Sequence, residues 1–239
     1  MGERMKNVLK HAFDKHRGLA AGLMLVVAGG LSGGCANLQS TAQMLMSEGQ
    51  PYTPGETALN KQIFGEAFQN REKARKYYFS NGCNGYPDSN AQYNSLTRNI
   101  AFCHSDVHEI DYSKAKDADR LGTYIHELTH DWQDQNYGVM LYWYFLVRTG
   151  ESDYGLDKNS DFQDFGMEQQ ASIMGDYARR FLHIEQNRAY SYLIYLNTPE
   201  TDALLQRIVE NQFPGARGMR LAVEAQRAAA QQKMAGPVL

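Results

Sequence analysis

The sequence predicts a mainly α-helical domain with a small β element. Three observations carry this. Apolar residues recur at three- and four-residue spacing over about 117–135 and 164–182. Helix-start signals stand at Thr53-Pro54-Gly55-Glu56 and Thr198-Pro199. One short run, Asn99 to Cys103, has strand character and is not part of any helical pattern. The chain has 239 residues, 43% of them hydrophobic and 21% charged, so it can bury a core and is not collagen-like, knotted by disulfides or wholly disordered. Lys and Arg number 24 against 27 Asp and Glu, for a net charge of −3. That balance leaves no positive excess for phosphate backbones and excludes a nucleic-acid partner.

The chain opens on a basic stretch containing Arg4, Lys6, Lys10, Lys15 and Arg17, followed by an apolar and small run from Gly18 to Leu31. This is the layout of a bacterial export signal, and the run is shorter than the roughly 20 residues a spanning helix needs. The closing Leu31-Ser32-Gly33-Gly34-Cys35 resembles the lipobox of bacterial lipoproteins, although Leu31 lies four residues before the cysteine rather than three. The resemblance implies cleavage before Cys35 and a lipid on its thiol. With Ala36 next, and no Asp, it also implies the outer membrane, facing the periplasm. Removing residues 1–34 leaves 19 basic against 25 acidic residues. Lipidation would account for one of three cysteines. In an oxidising compartment the expected fate of Cys83 and Cys103 is a disulfide, which closes a loop worth on the order of 3 kcal/mol in the chain-entropy model.

Residues 35–55 are polar and small and read as a membrane tether, and 56–212 as the folded domain. Thr53-Pro54-Gly55-Glu56 is a capping box with proline at the first helical position. It predicts a helix over about 54–79, with Ile63, Phe64, Ala67, Ala74 and Tyr78 inward. Residues 80–96, rich in Asn, Gly, Pro, Asp and Ser, read as a loop, and Asn99 to Cys103 as a strand. Residues 139–148 are apolar on every side and read as a buried helix, and 150–163 as a polar loop. Thr198-Pro199 opens a helix to about 212. The tail, 213–239, reads as a polar helix or a disordered end.

His126-Glu127-Leu128-Thr129-His130 is the H-E-x-x-H pattern. Positions i and i+4 of a helix share a face, so both imidazoles reach one zinc ion while the glutamate between them serves as general base for a water. Leu121, Ile125, Leu128 and Trp132 fall on one stripe of this helix; His126, His130 and Gln133 fall on another, roughly opposite. Gly122 and Thr123, one turn earlier, are small enough to leave space beside the metal. A catalytic zinc needs a third protein ligand. The best is Glu168, with Asp153, Asp157, His183 and Glu185 as rivals. Met167, Ala171, Met174, Ala178 and Phe181 form the buried stripe there; Glu168, Ser172 and Gly175 lie beside it, and Gly175 allows close helix approach. Ligating histidines usually give their second nitrogen to another group, for which Gln133 and Asp176 are candidates. His104 and His108 follow the strand and read as loop residues.

His126-Glu127-Leu128-Thr129-His130 with Trp132-Gln133, then Glu168-Gln169-Gln170-Ala171 and Asp176-Tyr177, resembles a group of zinc metallopeptidase domains that occur beside Vgr and Rhs proteins and in contractile-injection clusters. Arg98-Asn99-Ile100-Ala101-Phe102 and Asp111-Tyr112-Ser113 resemble the strand and loop that precede the helix there. The resemblance spans about residues 92–182. It implies a zincin-like fold of the gluzincin kind, with His126, His130 and Glu168 on zinc. Asp131 and Asp134 stand where apolar residues would be expected.

The functional expectation is a zinc-dependent peptidase of the cell envelope, with Glu127 as general base and a peptide or protein as substrate. The short strand near Ile100 would pair with an extended peptide, and Tyr154, Tyr177 and His183 are candidates to stabilise the oxyanion. The alternatives are a zinc-binding envelope lipoprotein that acts as adaptor or scaffold, and a hydrolase directed at wall or lipid.

Overall fold

The structure is a computed structural model. It describes residues 39, 41–66, 68, 74–80, 82, 83, 90–138, 156, 160–184 and 198–235. The signal segment with Cys35, the apolar run 139–148, Ala67, Asp153, Tyr154, Asp157 and Glu185 lie outside them.

A short helix at 41–45 precedes β1 (Gln50–Pro51) and α1 (Pro54–Phe64). The capping box forms as its residues dictate: the Glu56 N–H donates to Thr53 Oγ1 at 3.1 Å and the Thr53 N–H to Glu56 Oε2 at 2.8 Å. The other Glu56 oxygen accepts from Lys76 Nζ at 2.6 Å and from the Tyr112 N–H at 2.9 Å. Both charges of this pair are fully buried, so α1 is locked to the strand that carries Lys76.

That strand, β2 (Arg75–Tyr78), replaces the second half of the helix expected over 54–79. α1 stops because Gly65 takes φ 90° and returns its N–H to Lys61 O, a left-handed exit open to glycine. β3 (Ala91–Asn94) likewise corrects the loop expected over 80–96. β4 (Asn99–Phe102) is the expected strand. The sheet order is β1-β2-β4-β3: β2 runs parallel to β4, and β1 and β3 are antiparallel to their neighbours. The strand at Ile100 is therefore central, and its main-chain groups are already paired. The edges of the sheet are β1 and β3.

One long helix packs on β3, and three further helices pack on it, on α1 and on one another. α2 (Ala118–Tyr137) starts at the Asp117 cap, whose side chain accepts the Arg120 N–H at 2.9 Å. α3 (Met167–Tyr177) passes without a break into a π-helical turn, Ala178–Leu182. α4 (Pro199–Gln212) follows the Thr198 cap, and α5 (Pro214–Ala235) makes the tail a helix. The molecule is mainly α with a small sheet.

The predicted stripes are the buried ones. Leu121, Ile125, Leu128 and Trp132 are buried on α2, and Met167, Ala171, Met174, Ala178 and Phe181 on α3 and its extension. Tyr112 stacks between Phe102 and Tyr124, with centroids 4.6 and 4.7 Å away. Phe64, Trp132, Phe162 and Phe213 close the other end of the core. On the opposite face of the sheet, Met44, Ala101 and the Cys83–Cys103 disulfide form a second small core with Tyr77 and Phe79 against it. The segment 41–51, expected as tether, is thus docked on the domain. No helix among the described residues is long and apolar enough to cross a membrane.

Candidate metal centre

α2 and α3 meet at their small residues. A Cβ on Gly175 would lie 3.0 Å from the Gly122 carbonyl oxygen and 3.3 Å from His126 Cβ, so glycine permits this approach. Gly122 does not leave open space, as its sequence position suggested: Arg179 fills it, with Cγ 2.5 Å from where a Cβ would stand.

The approach brings His126, His130 and Glu168 together, with one ligand atom from each lying within 4.8 Å of the others. His126 Nε2 is 3.6 Å and His130 Nε2 3.5 Å from Glu168 Oε2. Tetrahedral zinc with bonds near 2.1 Å has ligand–ligand edges of ~3.4 Å. The donor set, two imidazoles and a carboxylate, is also one that zinc takes. These residues fit zinc in both chemistry and spacing. Glu168 keeps 32% of its side-chain surface exposed, whereas His130 is 4% exposed, so the cluster is walled on the α2 side and open beyond Glu168.

The electrostatics follow from this packing. Burial pulls the His130 pKa down, but the charge of Glu168, the hydrogen bond His130 donates to it, the charge of Glu127 and the hydrogen bond to Gln133 Oε1 more than reverse it, to about 9. Burial alone would raise Glu168; the charge on His130 and hydrogen bonds from both imidazoles hold it well below the usual carboxylate range. Glu127, nearly buried, is pushed up by desolvation despite the two adjacent imidazoles, and the Tyr93 main-chain N–H on β3 donates to it.

Gln133 lies where the sequence put it. Its Oε1 is 2.8 Å from His130 Nδ1, which leaves Nε2 facing the cluster. Its amide then donates to Met167 O and to Gln170 Oε1, and the Gln170 amide donates to Phe162 O and Phe165 O. Asp176 is fully buried, with Oδ1 3.2 Å from Arg179 Nη1. His183 is turned to Ala115 O at 3.0 Å, and the Tyr177 hydroxyl to Glu210 and Ala216 O. Neither points to a role on a substrate oxygen. His108 faces Phe102 O and packs edge-on to Tyr78, a loop role. Asp131 and Asp134 are buried because Tyr93 donates towards both and Arg98 pairs with Asp134. Sequence reasoning missed Gln170 and the Tyr93 N–H. The first was visible only as the residue following Glu168-Gln169; the second is main chain and has no sequence signal.

No family model and no curated protein matches the chain. Among solved structures, the effector domain of Pseudomonas aeruginosa VgrG2b is similar at 20% identity, with a TM-score of 0.43, over 76% of this chain and 94% of that one.

Proposed function

We propose that the chain is a zinc-dependent peptidase of the bacterial cell envelope, anchored through lipid on Cys35. The observation that carries the catalytic part is the convergence of His126, His130 and Glu168 with Glu127 beside them. When bound, zinc supplies Lewis acidity, lowering the pKa of water towards about 7 and polarising a carbonyl. His126, His130 and Glu168 hold it. Gln133 and Gln170 fix the His130 ring by a chain of hydrogen bonds ending on the main chain before α3. Glu127 takes a proton from the attacking water and returns it to the leaving amine. Burial raises its pKa, which makes it a stronger proton acceptor than a solvated carboxylate.

A peptide substrate is supported by β3. Cys103 N–H bonds Asn90 O and Arg98 N–H bonds Asn94 O, so even-numbered residues of this strand direct their main chain at β4. The main-chain groups of Ala91 and the Tyr93 carbonyl turn outward on this side, where an extended chain can add to the sheet.

The test is Glu127→Gln in the full chain, assayed for zinc content and for cleavage of a peptide library. A peptidase keeps about one zinc per chain and loses at least about 100-fold in cleavage, the usual scale for a general base. If wild type and variant cleave nothing while both hold zinc, the chain is a zinc-binding scaffold instead. Cys35→Ser should move the protein out of the membrane fraction; retention there would refute the lipid anchor.

A further inference from the structure

The chain enters the domain through a helix that is bound rather than loose. Met44 is 1% exposed and packs on Ala101 and the Cys83–Cys103 pair. Asn94 Nδ2 donates to Thr41 Oγ1 at 2.9 Å, Thr97 Oγ1 lies 3.4 Å from Met44 Sδ, and Gln43 Nε2 reaches Gly82 O. This fixes residues 41–45 against the β3–β4 turn. The next two residues after Met44, Leu45 and Met46, are nonetheless 77% and 81% exposed, and Leu96, beside Thr97 in that turn, is 52% exposed. Single exposed apolar side chains need no explanation. Here Leu45 and Met46 follow Met44 and Leu96 precedes Thr97, so all three flank the Thr97–Met44 contact at the start of the domain.

Six residues of chain lead from Cys35 to Thr41, a span of at most about 21 Å when fully extended. A lipidated Cys35 sits at the headgroup layer, which is roughly 5–7 Å thick on each side of the hydrocarbon. The corner around the Thr97–Met44 contact is therefore held within about 20 Å of the bilayer and cannot diffuse away from it.

We infer that Leu45, Met46 and Leu96 form a membrane-resting surface that seats in the headgroup boundary and fixes the orientation of the domain on the bilayer. This rests on the lipid anchor proposed above. The metal centre, on α2 and α3, lies across the sheet from the helix at 41–45. On β3, Asn94 holds Thr41 of the membrane-side helix, and the adjacent Tyr93 gives its N–H to Glu127.

The test uses the full lipidated chain in phosphatidylethanolamine–phosphatidylglycerol vesicles. Cys35 is acylated and Cys83 and Cys103 are bonded, so Leu45→Cys, Met46→Cys or Leu96→Cys each adds a unique thiol for a nitroxide. Leu221→Cys, on α5 and 50% exposed, is the control. The expected result is access to lipid-dissolved oxygen at least about threefold higher at the three corner positions than at 221. Equal aqueous accessibility at all four, in a chain that still needs Cys35 for membrane binding, overturns the surface while the anchor stands. Spin–spin broadening at the corner on raising the protein-to-lipid ratio assigns the patch to a second copy and also overturns it. A chain absent from the vesicles overturns the anchor and this inference together.

Discussion

Gln133 determines which nitrogen of His130 faces the other ligands. Its Oε1 takes the Nδ1 side of the ring at 2.8 Å, and Met167 O and Gln170 hold the amide in turn. Gln133→Leu keeps the volume but removes this orientation and leaves Gln170 short of a partner. Removing such a group lowers metal affinity by about 10–100-fold. Zinc competition against a chromophoric chelator should show that loss; unchanged affinity would mean that the ring is held by packing alone. At this scale the sequence was informative wherever helical spacing did the positioning. His126, Glu127, His130 and Gln133 share α2, so 100° per residue fixes their relation before any fold is known. Glu168 sits on a separate helix, and naming it needed the added argument that a zinc site lacks a third ligand. Gln170 escaped because its partners are carbonyls of residues 162 and 165, in an irregular segment that no periodicity describes.

Among the elements, α2 and α3 act as one unit, and their spacing depends on glycine. Gly175 leaves no room for a side chain between the Gly122 carbonyl and His126. Gly175→Val should force the helices apart, costing about 1–3 kcal/mol by overpacking and weakening zinc binding by moving Glu168 from the histidines. Gly218 on α5 gives the opposite sign: nothing lies within 4 Å of a Cβ placed there. Gly218→Ala should therefore stabilise by up to about 1 kcal/mol from helix propensity, with zinc affinity unchanged. Thermal unfolding with zinc titration checks both; equal effects on zinc would show that the helix contact does not set the ligand geometry. The helices that were legible had both a stripe and a cap. The second half of the helix expected over 54–79 failed because a pattern of inward residues running through Tyr78 looks helical until Gly65 breaks it, and the outcome depends on β4 offering a parallel partner to Arg75–Tyr78. β3 was hidden for the same reason: its pairing to β4 is a long-range fact, and its own Ala-Gln-Tyr-Asn sequence favours no element strongly.

For the molecule as a whole, the metal centre sets how stability varies with pH. In the metal-free chain the Glu168 carboxylate pushes His130 up to about 9, against an ordinary value near 6.5. A raised histidine contributes stability that is complete below about 6.5 and is lost as the pH rises through about 9. Glu168 is depressed, so its contribution is present above the ordinary carboxylate value and is lost as the pH falls through its lowered one. The metal-free chain is accordingly most stable in mildly acidic solution. Zinc held by this cluster would reverse the trend, because it takes the neutral imidazole and must displace the proton from His130. From about pH 6 to about pH 9 the displacement becomes steadily easier while the metal-free chain weakens, so the gain in Tm on adding zinc should grow across that interval. Thermal unfolding of chelator-treated and zinc-loaded protein at both ends, with Glu168→Gln alongside, measures it. A gain that is the same or smaller at the alkaline end would show that His130 is not protonated in the metal-free chain. In Glu168→Gln the metal-free pH slope should flatten, because the charge that holds the proton on His130 is gone.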